Sequence, residues 1–453
     1  MSSQTAPPRL QRSEGPSDAP GAGGHASRRA TPVQPVPRPR PGRLGPLRLP
    51  QLILFEIAAV LVAVGLGAGM KVLVPCGSVA LVLVLLGLVR RHGLTPAEMM
   101  RARSGLRARQ RRARTEAAEA AATAVEVDPA IAPVLECEPA LRTVQHTVQV
   151  EGGSATTGRR ERREIGMIGD GTFLTAVIQV EAMDDPLRPV RGAHAGLPLD
   201  LLADALQVDD VTVDSVQVVQ YSQPAPAPHL PEQALAARGY RELPHGATTP
   251  GLRMTWVAVR LDPELCRTAV AARGGGESGA RKALQRATDQ LASRLVGAGL
   301  RATVLDASGV TAAVSTATCA SPLRTNASAT GGRRTSETAR AWRCDDRWHT
   351  TYWIGQWPRL AAPGAGPGSA DLVNLLTGMP ALGSSFGLTV RQAGGGAVAL
   401  SGHVRVTARG EGDLDQVTRQ LETRARSAGV GLVRLDHEQV PGVLATLPLG
   451  GTR

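Results

Sequence analysis

Two apolar runs dominate the hydropathy pattern, Leu52 to Leu66 and Val72 to Val89, separated by Gly67, Ala68, Gly69, Met70 and Lys71. Between Leu52 and Val89 only Glu56 and Lys71 carry a formal charge. One straight helix of that length would reach about 57 Å, against a hydrocarbon core of about 30 Å. The pattern therefore predicts a two-helix transmembrane hairpin over residues 49–90, with spans near 52–69 and 72–89 and the glycines at the turn. Arg38, Arg40, Arg43 and Arg48 precede it, and Arg90, Arg91, Arg101, Arg103, Arg107, Arg109, Arg111, Arg112 and Arg114 follow it. Positive charge on both flanks places both in the cytoplasm, so the expected topology is a membrane crossed twice with both ends cytoplasmic. A cleaved signal peptide fits poorly, because residues 1–48 precede the first of two runs.

Beyond the hairpin the period of the pattern changes repeatedly. Thr95 to Ala124 reads as a helix, with Thr95 to cap it and Pro96 in its first turn, and forms a basic juxtamembrane segment over 91–126. A first α/β lobe is expected over 160–222, with strands at Phe173 to Glu181 and Val211 to Tyr221 around a short helix at Leu197 to Leu206. Residues 223–231 are Pro/Ala-rich and suit an extended linker. A second lobe is expected over 250–453, with a structureless loop near 320–338. Its strands are Met254 to Leu261, Arg301 to Leu305, His349 to Trp357, Phe386 to Gln392, Ala397 to Ala408 and Gly431 to Asp436. Its helices are Ser278 to Gly297, Asp371 to Leu376 and Leu414 to Ser427. The whole is mixed α/β, with helices packed on sheets.

An internal echo runs through that lobe. Thr288, Gln290, Leu291, Arg294, Ala298, Gly299, Leu305 and Asp306 recur 130 residues later as Thr418, Gln420, Leu421, Arg424, Ala428, Gly429, Leu435 and Asp436. Each copy is the end of an amphipathic helix, a glycine stop and a strand ending in Leu-Asp, which reads as one helix-to-strand unit used twice.

Charge refines this picture. Net charge is +12 and the isoelectric point about 10.6, values that suit nucleic acid in general. Much of the excess, however, sits in the Pro/Gly/Ser/Arg-rich tail (1–48), expected to be disordered, and in the juxtamembrane arginines, where it sets topology and attracts anionic lipid headgroups. Cys76, Cys137, Cys266, Cys319 and Cys344 form no C-x-x-C pair, so no disulfide framework or zinc site is implied.

Candidate chemistry is sparse. Gly274-Gly275-Gly276-Glu277-Ser278-Gly279 has phosphate-loop spacing but continues with Ala280 and Arg281, where Lys and Ser or Thr are needed. Asp413-Leu414-Asp415 could hold a divalent metal on a nucleotide-sugar phosphate, yet it sits at a helix start where acids complement the dipole. The doublets Asp184-Asp185, Asp209-Asp210 and Asp345-Asp346 read as solvated loops. His349 near Cys344 lacks a third partner and reads as strand surface. Trp342, Trp348, Trp353 and Trp357 are four of five tryptophans. With Arg343 and Arg347 interleaved they could stack on bases, but Trp353 and Trp357 on one strand face read more simply as core or partner-interface anchors. Glu56, an acid within an apolar run, is a candidate contact with a partner helix. No catalytic residue, cofactor, metal or small-molecule substrate is expected.

The strand Glu164-Ile165-Gly166-Met167-Ile168-Gly169-Asp170-Gly171, the segment Thr255-Trp256-Val257-Ala258-Val259-Arg260-Leu261-Asp262-Pro263, the loop Arg273-Gly274-Gly275-Gly276, the stretch Trp353 to Pro358 and the C-terminal Glu438 to Gly451 together resemble the EccE family of type VII (ESX-type) secretion machines. The likeness covers roughly residues 40 to 453. It implies a non-enzymatic membrane subunit at the periphery of a complex with EccB, EccC and EccD, and a cytoplasmic region like a degenerate glycosyltransferase without its active-site residues. Two rivals remain at this level: a membrane-tethered glycosyltransferase using Asp413 and Asp415, and a membrane-anchored nucleic-acid binder using the arginines.

Overall fold

Where the transmembrane hairpin was expected, a computed structural model of the chain has two helices, α1 (Leu49–Ala68) and α2 (Met70–Leu88). The structure describes residues 36–37, 43–44, 47–88, 96–122, 128–150, 161–182, 197–225, 251–321, 333–358, 368–393 and 397–451, with 233 and 324. Gly69, at φ +86°, makes the turn, and its carbonyl accepts from the amides of Val72 and Leu73. Small residues let the helices approach: Ala58 and Ala80 are buried, and a β carbon at Gly65 would lie 3.1 Å from the Leu73 backbone. Pro75 stands inside α2, where it cannot donate to the carbonyl one turn back. The two membrane spans expected from the sequence are not established. The side chains described in the pair cover residues 55–85 alone, and among the described residues no helix is long and apolar enough to cross a membrane.

Short pairings also replace part of the expected disordered tail. Val36–Pro37 runs parallel to Ala399–Leu400, and Arg43–Leu44 pairs with Leu47–Arg48. Arg90 and Arg91, the doublet Asp184-Asp185 and most of the 223–231 linker lie outside the described residues.

After α3 (Pro96–Ala122) and a single turn, α4 (Ala132–Leu135), the chain builds one sheet in two similar halves. The first half comprises β1 (Arg142–Val150), β2 (Glu161–Gly169), β3 (Leu174–Ala182), α5 (Leu199–Asp204), β4 (Ser215–Gln223), β5 (Leu252–Leu261), α6 (Gly276–Gly297), β6 (Leu300–Val304) and α7 (Ala307–Thr318). The second comprises β7 (Thr335–Glu337), β8 (Trp342–Cys344), β9 (Arg347–Gln356), α8 (Ser369–Thr377), β10 (Gly383–Gln392), β11 (Val398–Ala408), α9 (Glu411–Ser427), β12 (Gly431–Arg434) and α10 (Gln439–Leu444). These elements correspond one to one; the first half adds a short hairpin (Gln207–Val208 with Val211–Thr212) and two helical turns, Pro263–Cys266 and Arg267–Ala272.

The strand order is β7-β8-β9-β11-β10-β4-β5-β3-β2-β1, with β6 beside β3 and β12 beside β9. Each half thus holds a β-α-β-β-α-β unit whose strands lie fourth, first, third, second (β6-β3-β5-β4 and β12-β9-β11-β10), the ferredoxin-like arrangement. The two second strands join the halves antiparallel, from Ser384 opposite Ser222 to Arg391 opposite Ser215. The 130-residue echo marks this repeat: α6 and α9 end before Gly299 (φ +83°) and Gly429 (φ +71°). Leu305 and Leu435 then donate their amides to Val177 and Thr351, corresponding positions on the two first strands.

Antiparallel pairing between these strands overturns the glycosyltransferase-like expectation. Nucleotides bind at the carboxyl ends of parallel strands in open α/β sheets, whereas among the described residues the strands across the centre of this sheet pair antiparallel. The division into lobes also differs from the sequence reading, because β4 and β5, on either side of the linker, pair along nine positions. The halves meet between α7 and β7 instead, and the loop expected to 338 gives way to strand at Thr335.

Both faces of the sheet are covered. One carries α5, α6, α8 and α9 over a core with Leu284, Leu291, Leu376, Leu421, Val404 and Tyr352. The other carries α4, α7 and α10 over Trp256, Trp342, Val219, Val310 and Val443. Helix α6 buries Ala280, Ala283, Leu284, Ala287, Leu291 and Leu295, an i, i+3, i+4 stripe. On the second face the C-terminal segment seals a polar band. Gln217 Nε2 donates to the Ala445 carbonyl at 2.8 Å, Thr175 Oγ1 to Leu449 at 3.0 Å, Ser215 Oγ to Gly450 at 2.6 Å and Arg260 Nη1 to Gly451 at 2.8 Å. The backbone passes so close that a β carbon at Gly450 would lie 2.4 Å from Arg260 Cβ.

Candidate functional site

A dense set of polar contacts between distant parts of the chain lies where α3 meets the β7 edge. Helix α3 turns Ala102 and Leu106 inward, with Arg109, Gln110 and Ala113 on the same side. Arg109 grips Glu337 with Nε at 2.8 Å and Nη2 at 3.0 Å, and Nη2 also donates to the His437 carbonyl at 2.7 Å. Gln110 Nε2 donates to the Glu337 carbonyl at 2.9 Å. The Glu337 side chain, 5% exposed, further accepts from the Val440 amide in the first turn of α10. One carboxylate therefore ties α3, the edge strand and the last helix together through charge-assisted bonds.

A second layer supports it. Glu136, beyond α4, accepts from the amides of Arg334 and Thr335 and from Thr335 Oγ1. Arg333 Nη2 donates to the Glu136 carbonyl at 2.7 Å, and Arg334 forms a bidentate pair with Asp345 at 2.9 and 2.8 Å. Burial alone would raise the Asp345 carboxyl, but bonds from Arg334 and the Ser321 amide, with the Arg334 charge, hold it below the usual carboxylate range. Between α3, the Glu136–Glu138 turn and β7 a cleft of about 470 Å³ remains, floored by Cys137, Trp342, Val440 and Leu444. Burial pushes the Cys137 thiol up to about 12 and Cys344 higher still, so neither is a nucleophile at neutral pH.

Several residues singled out in the sequence change meaning here. Of the juxtamembrane arginines, Arg109 belongs to the domain contact and Arg112 pairs with Glu116 at 2.7 Å, while Arg101, Arg103, Arg107, Arg111 and Arg114 are exposed. Glu56 is exposed on α1. The tryptophans divide between the faces. Trp342 is buried against His349, ring centroids 4.9 Å apart. Trp348 is half-buried with Arg343 over its ring at 5.9 Å. Half-buried Trp353 alternates away from Ile354 and covers Gly355, whereas Trp357 lies past the end of β9 against Gly402 and Ile354. Trp353 and Trp357 therefore do not share a strand face.

His349 is not strand surface either. It is fully buried and shares a 2.9 Å hydrogen bond with Thr407 Oγ1. Burial, reinforced by Arg405 and Arg347, pushes its ring well below its ordinary value, so it stays neutral. Arg405, also fully buried, donates to Ser385 Oγ at 3.0 Å and to the Ala317 carbonyl. Asp345 and the Asp209-Asp210 doublet are engaged by arginines (Arg334, Arg286 and Arg273) rather than simply solvated. Asp413 and Asp415 are exposed in the first turns of α9, and among the described residues no His, Cys, Asp and Glu cluster could hold a metal. Arg333, Arg334 and Glu337 escaped the sequence reading because they lie in or beside a stretch too short and polar to read as strand, and Glu136 because its partners lie about 200 residues away in the chain.

The architecture defines a class: a helical hairpin and basic helix ahead of a duplicated ferredoxin-like sheet covered on both faces. Within it, residues 249–354 match the family model EccE, described as "Putative type VII ESX secretion system translocon, EccE". The resemblance read from the sequence is thereby shown for that segment, which runs from β5 across the junction of the halves into β9. It includes Thr255 to Pro263, the Arg273 loop and three of the clustered tryptophans, and is narrower than the 40–453 of the sequence reading. No curated protein matches the chain.

Proposed function

We propose that this chain is a non-catalytic structural and assembly subunit of an inner-membrane type VII secretion complex. The family match supports the system, and the surface of the hairpin supports the membrane. Ile57, Val60, Val64, Leu66, Met70, Val74, Leu81 and Leu85 are each at least 45% exposed, a concentration of exposed apolar side chains of the kind that marks a membrane or partner surface. In this reading the hairpin lodges in the bilayer with both ends on the cytoplasmic side, and the domain behind it makes protein contacts with EccB-, EccC- and EccD-type subunits. A sheet covered on both faces and sealed by its own C-terminus suits a rigid contact module.

Glu56 supplies the test. It is exposed between apolar neighbours on α1, and a carboxylate in hydrocarbon is costly unless a partner meets it. Glu56→Leu should keep the chain in the membrane fraction while several-fold less of the other complex components co-purifies with it in mild detergent. Unchanged co-purification would remove the partner-contact role, and loss of the wild-type chain to the soluble fraction would remove the membrane reading altogether.

A further inference from the structure

Helix α3 has two working sides. The side formed by Ala102, Leu106, Arg109, Gln110 and Ala113 is docked on the domain. A separate stripe carries Arg103, Arg107, Arg111 and Arg114, all exposed. Their spacing of four, four and three residues keeps them within about 80° of arc, centred about a third of a turn from the docked side. No acidic residue occurs between Met99 and Thr115, so nothing on this stretch of the helix offsets the stripe.

We infer that this four-arginine stripe rests on an anionic phospholipid surface while Arg109 and Gln110 clamp the other side of the helix to β7, so that α3 sets the orientation of the domain on the membrane. The inference rests on the membrane reading above and deepens it by separating arginines that face lipid from one that holds the protein. Continuity with the hairpin argues for the bilayer as occupant. Residues 89–95 separate α2 from α3, a length that spans at most about 25 Å. Charge agrees, since clustered basic residues beside a membrane segment are attracted by anionic headgroups. Nucleic acid fits less well, because α3 contains no aromatic residue on which a base could stack.

The test uses the full chain in nanodiscs of phosphatidylcholine alone or mixed with phosphatidylglycerol, doped with a lipid photoreactive either in the headgroup or in the acyl chain. In the anionic discs, headgroup labelling should map to residues 101–116 and fall about tenfold or more when Arg103, Arg107, Arg111 and Arg114 are all changed to Gln. Acyl-chain labelling of residues 55–85 should persist in that variant. Arg109→Gln should retain headgroup labelling but raise amide exchange at 335–337 and 439–444. Absence of acyl-chain labelling in the wild type would instead defeat the membrane reading. With acyl-chain labelling intact, headgroup labelling that ignores the four substitutions or the lipid charge overturns the inference. So does a variant that keeps headgroup labelling while losing affinity for a fluorescent oligonucleotide.

Discussion

Trp256→Ala is expected to lower the unfolding free energy by about 3–5 kcal/mol, read as a shifted midpoint in thermal or urea unfolding of the purified chain. Trp256 sits at the centre of β5 with no exposed surface, between Val219 on β4 and Gln179 on β3, under the second-face layer. Alanine there would open a cavity bounded by two strands and buried helices, a setting that cannot collapse without breaking strand register. Trp256→Phe separates volume from polarity. Among the described residues the indole N–H has no hydrogen-bond partner, so phenylalanine removes an unsatisfied donor while losing less volume, and should cost under about 1.5 kcal/mol. Equal losses for both variants would show that the ring's full size, rather than filling as such, holds this core.

The second large effect concerns Asp345. Its side chain is 2% exposed and that of Arg334 is 14% exposed. Removing one member of such a pair leaves the other buried without compensation, a cost of about 3–5 kcal/mol. Asp345→Ala should destabilise accordingly and loosen the β7 edge, because Arg334 also donates to the Pro129 carbonyl before α4. The pH dependence follows from the direction of the shift. The folded carboxyl is held below its unfolded value, so its stabilisation is complete above the unfolded value and drains away as pH falls through the folded one. The wild type should therefore lose stability on acidification over that window more steeply than Asp345→Asn. Parallel pH profiles for the two proteins would sink the assignment.

Duplication gives the edge contact an additional meaning. The outer strands β1 and β7 occupy corresponding places in the two halves, yet α3 docks on β7 through Glu337, while β1 pairs with β2 on its inner side. An unprotected edge is a template for further pairing, and at β7 the basic helix covers it. The asymmetry between otherwise similar halves therefore lies where the chain leaves the hairpin.

The legibility of these features tracks how local their causes are. The Gly69 turn, the stripes of α6 and α9 and the glycines that stop them were readable, because each depends on residues within a turn or two of one another. The 130-residue echo was readable for the same reason, although its meaning as a whole repeated β-α-β-β-α-β unit was not. That meaning rests on β6 lying beside β3 and β12 beside β9, pairings between strands more than a hundred and about eighty residues apart. The tryptophan cluster misled by proximity in sequence: the end of β9 after Gln356 separates Trp353 from Trp357.

What the sequence by itself determined is therefore the apolar hairpin, the basic helix after it, the mixed α/β character and the repeated helix-to-strand segment, all products of short-range periodicity and charge. Tertiary structure decided that the strands run antiparallel in two ferredoxin-like units, that His349 and Arg405 lie buried beneath α7 and α10, and that Arg109 alone among the described juxtamembrane arginines holds Glu337. The physical reason is that burial and ion pairing depend on which surfaces meet, and the surfaces of α3 and β7 meet across more than two hundred residues of intervening chain.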